Sequence, residues 1–388
     1  MLLNWEQVHI NWTLFLPFFF LSAFYFLRPK KSLSRPTETK SESEFPKEIK
    51  TNAVLPDFKW DHKEPAKSYP FKDKEYKLTM GIRSFKPDDW LLIEDTYLDR
   101  IEEKTKLITN SHPAYDSDKD TEASTVFTSE IGDPAVRELY DVIIQYMCDK
   151  YPMYFKLNGD GTSVHNSITK EDIPATAGDI DTRKLLHLLT RTVEEDCIIM
   201  MPDETLDDPE FGNEYYFKAG VFAFAAGFDP RDKFNKPLTS IHEPIPGYQS
   251  ILRTSMNRYF QRLQPCQFVG RANFSIQAHN KFYVDDDNKG YHLSEEEVRR
   301  AIPYEDLDFD KQVHYRSERQ MLTRLPKTGA IVFTIRTYLH PFSDFKSQPE
   351  EVGQRLLGAL EKFPDDMAKY KGLTKLAPAA IRYLKEFL

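Results

Sequence analysis

Apolar residues recur at helical spacing in several parts of the chain. Residues 88–107 and 133–150 carry this pattern early, the first of them behind Pro87 and two acidic residues suited to a helix N-terminus. Residues 248–263 carry it again in the middle of the chain. The tail from residue 349 onward predicts two or three further short helices.

Strand patterns lie between these helices. Residues 197–201 and 215–224 are apolar and rich in β-formers, and residues 271–278 and 329–338 alternate between apolar and polar positions. There is no regular alternation of strand and helix, so we expect no parallel βαβ architecture. The order of elements predicts an α+β domain built around a mostly antiparallel sheet.

One polar segment, HYRSERQMLTR at residues 314–324, fits either period. In a strand, one face would carry the alternating residues His314, Arg316, Glu318 and Gln320. In a helix, a shared side would carry Arg316, Arg319 and Gln320 instead. Burial without partners would cost several kcal/mol for each group. The segment therefore indicates either a structural ion-pair network or a site for an anion or cofactor.

The N-terminal segment is apolar enough to predict a membrane anchor. Residues 10–27 contain no charge, and as a helix they would span roughly 27 Å, which matches a bilayer core. Basic residues follow at 28–35, so we expect residues 1–9 to be lumenal or external and the rest cytosolic, in a single-pass membrane protein. The alternative is a buried hairpin or a monotopic anchor broken by Pro17.

Composition divides the remainder. Residues 28–56 are rich in Ser, Thr, Pro, Lys and Glu, which predicts a disordered linker. We expect a folded domain at residues 57–345 and a helical C-terminal extension at residues 346–388.

Charge and motifs exclude several classes of protein. The formal net charge is −9 without a basic stripe, which argues against nucleic acid as a partner. The three cysteines form no CxxC pair, and the sequence has no GxSxG, Walker A, GxGxxG or HExxH motif. Any chemistry must therefore come from scattered polar residues in the second half.

His242 is one such residue. It lies in SIHEPIPGY, where Pro244, Pro246 and Gly247 stiffen the backbone and restrict the imidazole. Such rigidity suits a ligand, although a lone histidine is also compatible with an ordinary core or surface role.

Five motifs in order resemble one known family. They are GIRSFKPDDWLLIEDTYLDRIEEKTKLI, EEDCIIM, PLTSIHEPIPGY, RANFSI and HYRSERQMLTRLPKTGAIVFTIRTYLHPF. Together they resemble the alpha-subunit-like family of heme-dependent oxidative N-demethylases, whose fungal members are also called the HRQ family. That signature corresponds here to His314, Arg319 and Gln320. The resemblance covers about residues 68–345.

The resemblance implies a heme-binding PAS-like fold and a monooxygenase. Its substrate would be a small N-methylated amine, oxidised with O2 to release formaldehyde. Electrons would come from a separate reductase with flavin and iron–sulfur centres. The rival hypothesis from another class is a heme- or ligand-sensing PAS-type protein without catalysis. A third is a structural adaptor that has lost the cofactor.

Site residues follow from the same resemblance. His242 is the first choice for the iron ligand with Glu243 as its supporting partner, while His314 is the alternative and His279 a distant third. Glu318 is expected to be the distal acid that holds a protonated amine. The candidates to pair with heme propionates are Arg316, Arg319, Arg324 and Arg271. The strand at residues 215–224 would either line the macrocycle or pack in the core.

Overall fold

The structure, a computed structural model, describes most of the chain after residue 47. The described residues are 48–115, 118–206, 214–285, 294, 296–297 and 300–388. Their strands are β1 Arg83–Phe85, β2 Val126–Phe127, β3 Phe155–Leu157, β4 Ser163–Asn166, β5 Glu171–Pro174, β6 Asp196–Met201, β7 Tyr216–Val221, β8 Phe268–Gln277, β9 His314–Arg324 and β10 Ile331–Pro341.

Helices lie between these strands and follow the last of them. They are α1 Tyr97–Ile108, α2 Asp133–Lys150, α3 Thr182–Thr190, α4 Leu238–His242, α5 Arg253–Arg262, α6 Glu350–Glu361, α7 Asp365–Tyr370 and α8 Leu373–Phe387. A π-helical turn, Tyr248–Leu252, leads directly into α5.

Seven strands form one sheet in the order β1-β8-β9-β10-β6-β7-β2, and a separate sheet has the order β3-β4-β5. Every neighbouring pair is antiparallel. The long strands β8, β9 and β10 pair along most of their length, so they form a rigid platform in the middle of the large sheet.

The two faces of the large sheet carry different cores. Helices α1 to α3 pack on one face, where Met321 and Val332 are buried in the first core. Helices α4 and α5 pack on the other, where Leu322 and Phe333 join a second core. The opposite assignment of Met321 and Leu322 follows from the alternation of side chains along a strand.

The C-terminal helices also pack against the sheet. A third core joins α6 and α8 to Phe274 and Tyr315, which point to the same face as Met321. Lys371, between α7 and α8, donates from Nζ to the Phe274 carbonyl oxygen at 2.8 Å. Residues after 345 therefore contribute directly to covering β8 and β9.

Several predicted elements agree with the structure and one begins elsewhere. Helix α2 spans residues 133–150 as predicted, and the tail forms three short helices. The helix predicted from residue 88 begins only at Tyr97. Between residue 88 and Tyr97, three successive carbonyl oxygens accept hydrogen bonds from distant side chains. Trp90 accepts from Arg319, Leu91 from Lys150, and Leu92 from Arg336. These tertiary bonds hold the segment in a non-helical path that the local pattern does not reveal.

A buried ionic cluster fixes this segment to the sheet. The Arg336 side chain, 1% exposed, donates to Glu94 at 2.6 Å, Glu194 at 2.5 Å and Glu195 at 3.3 Å. Removing one member of such a buried cluster usually costs several kcal/mol, because the remaining charges lose their partners. The EEDCIIM motif therefore has a structural role, since its two glutamates bind Arg336.

The predicted membrane architecture is corrected. The fold is α+β with a large antiparallel sheet and helices, which agrees with the α+β part of the prediction. No helix within the described ranges is long and apolar enough to cross a membrane. The predicted span, residues 10–27, lies outside the described residues. As far as the described residues go, the predictions of a transmembrane helix and of a single-pass membrane location are therefore wrong.

Glu194 should make stability depend on pH. Burial raises the pKa of Glu194 to about 7 from 4.5, and the neighbouring Glu195 carboxylate adds to the shift against the attraction of Arg336. The folded state then binds this proton more tightly than the unfolded state. The resulting stabilisation is complete below about pH 4.5 and is lost as the pH rises through 7.

The parent should lose unfolding free energy between pH 5 and pH 8. We expect Glu194→Gln to lose less over the same range, by on the order of 2 kcal/mol. Urea unfolding at several pH values measures this change. Glu350→Gln, at an exposed position of α6, is the control and should follow the parent curve. Parallel curves for Glu194→Gln and the parent would contradict the assignment.

Candidate heme site

The register of β8 and β9 places several polar side chains on one face of the sheet. Arg271 lies opposite Gln320, and Asn273 lies opposite Glu318. Paired residues share a face, and this is the face on which α4 and α5 pack, since Leu322 belongs to the core beneath them. The segment at 314–324 is therefore a strand, and its alternating polar residues do converge.

Glu318 is held by three side-chain donors. Its Oε1 accepts from Arg316 Nε at 3.0 Å, and its Oε2 accepts from Gln320 Nε2 at 3.0 Å and from Asn273 Nδ2 at 3.3 Å. Across the sheet on β10, Thr337 lies opposite Glu318. The Thr337 hydroxyl is buried and has no hydrogen-bond partner among the described residues. The carboxylate is thus fixed beside an unsatisfied polar group.

His242 is oriented as a metal ligand would be. Its Nδ1 lies 2.8 Å from the Leu238 carbonyl oxygen, which can only accept, so Nδ1 carries the proton. The ring stacks on Tyr248 with centroids 5.1 Å apart. Nε2 makes no hydrogen bond within the described ranges and presents its lone pair. Such anchoring of Nδ1 by a carbonyl is the usual arrangement for a ligating histidine.

The imidazole is also neutral. The ring keeps some exposure to solvent, yet its pKa is lowered to about 4, mainly by burial and in smaller part by the charges of Lys233 and Arg271, against the hydrogen bond to Leu238. Arg271 is therefore close enough for its charge to act on His242. The structure brings these two predicted residues to the same side of the sheet.

Arg271 differs from the other predicted arginines. Its Nη1 donates to the Met80 carbonyl oxygen at 3.3 Å, while its Nε is buried without a hydrogen-bond partner in the described part of the chain. An unpaired buried donor costs about 1–3 kcal/mol. An anionic group that accepted from Arg271 would remove this cost.

Arg316 and Arg324 are bound by the protein itself. Arg316 is fully buried and donates to the carbonyl oxygens of Phe282 at 3.0 Å and Phe224 at 2.6 Å. Arg324 donates to the carbonyl oxygens of Leu263, Gly329 and Phe260, each at 2.6 Å, and to Tyr215 Oη at 2.9 Å. Both guanidinium groups tie loops to β9.

Arg319 points to the opposite face. It pairs in register with Arg336 and donates to the carbonyl oxygens of Trp90 and Asp89. The structure therefore separates Arg319 from Glu318 and Arg271, although all three belong to the predicted set.

The other predicted residues lie away from this group. His314 lies opposite Gln277, six residues along β8 from Arg271, which is roughly 20 Å in a strand. His279 Nδ1 accepts from the Lys281 amide at 3.3 Å. Glu243 is exposed, and the Leu238 carbonyl occupies the supporting position that the sequence suggested for it. Strand β7 is buried throughout and packs in the core.

Sequence reasoning missed Asn273, Gln320 as a partner of Glu318, and Tyr370. Tyr370, on α7, interacts electrostatically with both Glu318 and Arg271, and burial raises its pKa to about 12. Asn273 could have been predicted, because in a strand it shares a face with Arg271 two residues before it in RANFSI. Tyr370 lies about a hundred residues further along the chain, and no local pattern connects it to β8.

These features define an α+β protein with a neutral histidine on one side of its sheet and, on the same side, an arginine whose buried Nε has no hydrogen-bond partner among the described residues. A family model described as haem-dependent oxidative N-demethylase, alpha subunit-like, matches residues 81–381 of the 388. The chain belongs to this family. Membership indicates a heme-dependent, oxidative N-demethylase-like function, with heme as the cofactor.

The residues present fit a heme. A heme iron requires an unprotonated nitrogen and the propionates require cationic donors, and His242 Nε2 and Arg271 are groups of these two kinds. Neither group is satisfied by the rest of the described chain, whereas Arg316 and Arg324 are. Of the four arginines that the resemblance offered as partners of heme propionates, Arg271 alone has a buried donor without a hydrogen-bond partner among the described residues.

Two arginine variants separate structural from binding roles. Arg324→Met should lower the free energy of unfolding by about 3 kcal/mol or more, because three carbonyl oxygens lose their donor. Arg271→Met loses one 3.3 Å hydrogen bond and should change the free energy of unfolding by less than about 1 kcal/mol. Urea unfolding of the heme-free chain measures both. Equal destabilisation would refute the distinction.

Proposed function

We propose that this chain catalyses heme-dependent oxidative N-demethylation of a small N-methylated amine. The balanced reaction takes the amine, O2, two electrons and two protons to the demethylated amine, formaldehyde and water. A separate reductase with flavin and iron–sulfur centres would supply the electrons. The observation that carries the proposal is His242, whose Nδ1 is bound by the Leu238 carbonyl oxygen and whose Nε2 has no hydrogen-bond partner among the described residues, in a chain of this family.

His242 and Arg271 would hold the cofactor. His242 Nε2 would bind the iron while the Leu238 carbonyl keeps the ring in place through Nδ1. Arg271 would pair with a propionate through its buried Nε. The heme, once bound, supplies the oxidation of the methyl group. These roles require no change in the hydrogen bonds that Arg316, Arg319 and Arg324 make to the backbone.

Glu318 would bind the substrate amine. Its carboxylate is oriented by Arg316, Gln320 and Asn273 and is only partly exposed. A protonated amine at Glu318 Oε2 would gain a charge-assisted hydrogen bond, and the carboxylate could accept its proton as the nitrogen becomes neutral. The fixed carboxylate would hold the methyl group of the bound amine in one orientation, and such orientation of a reacting group raises the reaction rate.

His242→Gly should abolish heme binding, and added imidazole should restore it, because the free ring replaces the missing ligand. The Soret absorbance of the purified chain titrated with heme measures both. His314→Ala is the matched control and should keep the parent spectrum. A normal spectrum for His242→Gly together with loss of the Soret band in His314→Ala would show that His314, the alternative histidine, binds the iron.

Glu318→Gln should keep the heme spectrum and lose turnover by about 100-fold or more, because the amide cannot accept the amine proton. The assay measures formaldehyde from dimethylamine, trimethylamine and N-methylglycine with a chemical reductant in air. Glu350→Gln is the control. A heme-loaded parent that releases no formaldehyde from any of these amines would contradict the catalytic proposal and favour a sensor.

A further inference from the structure

A cavity of about 720 Å³ lies at the edge of β8 beyond its pairing with β1. Its walls come from residues 67–83, from β8 between Arg271 and Phe274, and from α6 with Phe363 and Lys371. Strand β1 pairs with β8 only up to Gly270, so the edge beyond that residue is covered by these side chains instead. The volume lies within the range of sites for small organic ligands.

The cavity is strongly cationic. Eight of the twenty described residues that line it are lysine or arginine, and one, Glu75, is acidic. The chain as a whole carries a formal charge of −9, so this concentration is opposite in sign to the rest of the molecule. Like charges gathered around one space repel each other, and a bound anion would relieve that repulsion.

Two arginines in the lining have a buried Nε without a hydrogen-bond partner in the described part of the chain. Besides Arg271, the Nε of Arg355 on α6 is buried and has no hydrogen-bond partner in the described ranges. Its nearest carboxylate oxygen, on Glu351, is 3.8 Å away, and that side chain is 84% exposed. Such an exposed pair contributes little. The guanidinium of Arg355 therefore remains available to an acceptor in the cavity.

Aromatic rings form part of the same lining. Phe363 stacks on Tyr76 with centroids 4.9 Å apart, and Phe71 contacts Phe274 edge to face at 5.4 Å. Rings beside cationic side chains are the combination that binds a flat base together with its phosphates. No histidine, cysteine or methionine is among the described lining residues, so the usual iron ligands do not face this space.

We propose that this cavity is a second binding site, for a small phosphorylated molecule of the nucleotide class. Arg355 and the lysines of residues 67–77 would bind the phosphates, and the aromatic residues would contact the base. Arg271 lines the cavity and marks its border with the proposed heme site. The proposal does not require heme and can be tested with or without it.

The test is calorimetric titration of the 388-residue chain with ADP and, separately, with inorganic pyrophosphate. We expect ADP to bind with micromolar affinity, more tightly than pyrophosphate, in both the heme-free and the heme-loaded protein. Arg355→Gln should weaken ADP binding at least about tenfold, since it removes a charged donor. Lys77→Gln, at an exposed position of the lining, should weaken it about two- to threefold.

Arg258→Gln is the matched control, because Arg258 is exposed on α5 and is not part of the lining. It should leave ADP affinity unchanged. Three results would overturn the proposal: no binding of ADP, equal affinity in the parent and both lining variants, or equal affinity for ADP and pyrophosphate. Loss of ADP binding when heme is loaded would also overturn it, since the cavity would then be the propionate site.

Discussion

The antiparallel register of β8 and β9 is the constraint on which the proposed site depends. Side chains alternate along both strands, so a shift of one residue would turn Glu318 toward the first core and Arg319 toward the site. Apolar residues at the far end prevent such a shift. Met321 and Leu322 lie in different cores on opposite faces of the sheet. A shift of one residue would turn each side chain toward the other core, where it would lose its packing contacts. Packing at one end of the sheet thus fixes polar chemistry in its middle.

The arginines of this region serve mainly to organise the backbone. Arg316, Arg319, Arg324 and Arg336 each donate to main-chain carbonyl oxygens of segments distant in sequence. A guanidinium can satisfy several carbonyls at once because it carries five donors in one plane. The high charge next to a buried strand is therefore explained by loops that need donors. Arg271 stands apart because its Nε lacks such a partner within the described chain.

Much of the fold could be predicted from local pattern. The bounds of α2, the three C-terminal helices and the antiparallel α+β character all follow from periodicity. Residues 314–324 fit two periods, and only pairing with β8 and β10 decides between them. The start of α1 was misplaced because the carbonyls of residues 90–92 bind side chains from elsewhere in the fold.

The candidate site could be predicted less completely, for a similar reason. The stiffness of the segment after His242 is visible in its prolines, but the Leu238 carbonyl that sets the tautomer is a feature of the α4 backbone, in which His242 is the last residue. Residue type cannot show whether an arginine is bound by the chain or left for a ligand. That depends on partners such as Phe224 for Arg316, which lie about ninety residues away. The cationic cavity likewise joins residues 67–83 to α6, which no local pattern connects.

The most direct measurement is a crystal structure of the chain loaded with heme. Our account predicts electron density for the macrocycle on the face of the sheet that carries Glu318, with iron bound to Nε2 of His242 and a propionate within hydrogen-bonding distance of Arg271. Iron bound to His314, or heme on the face that carries Arg319, would contradict it.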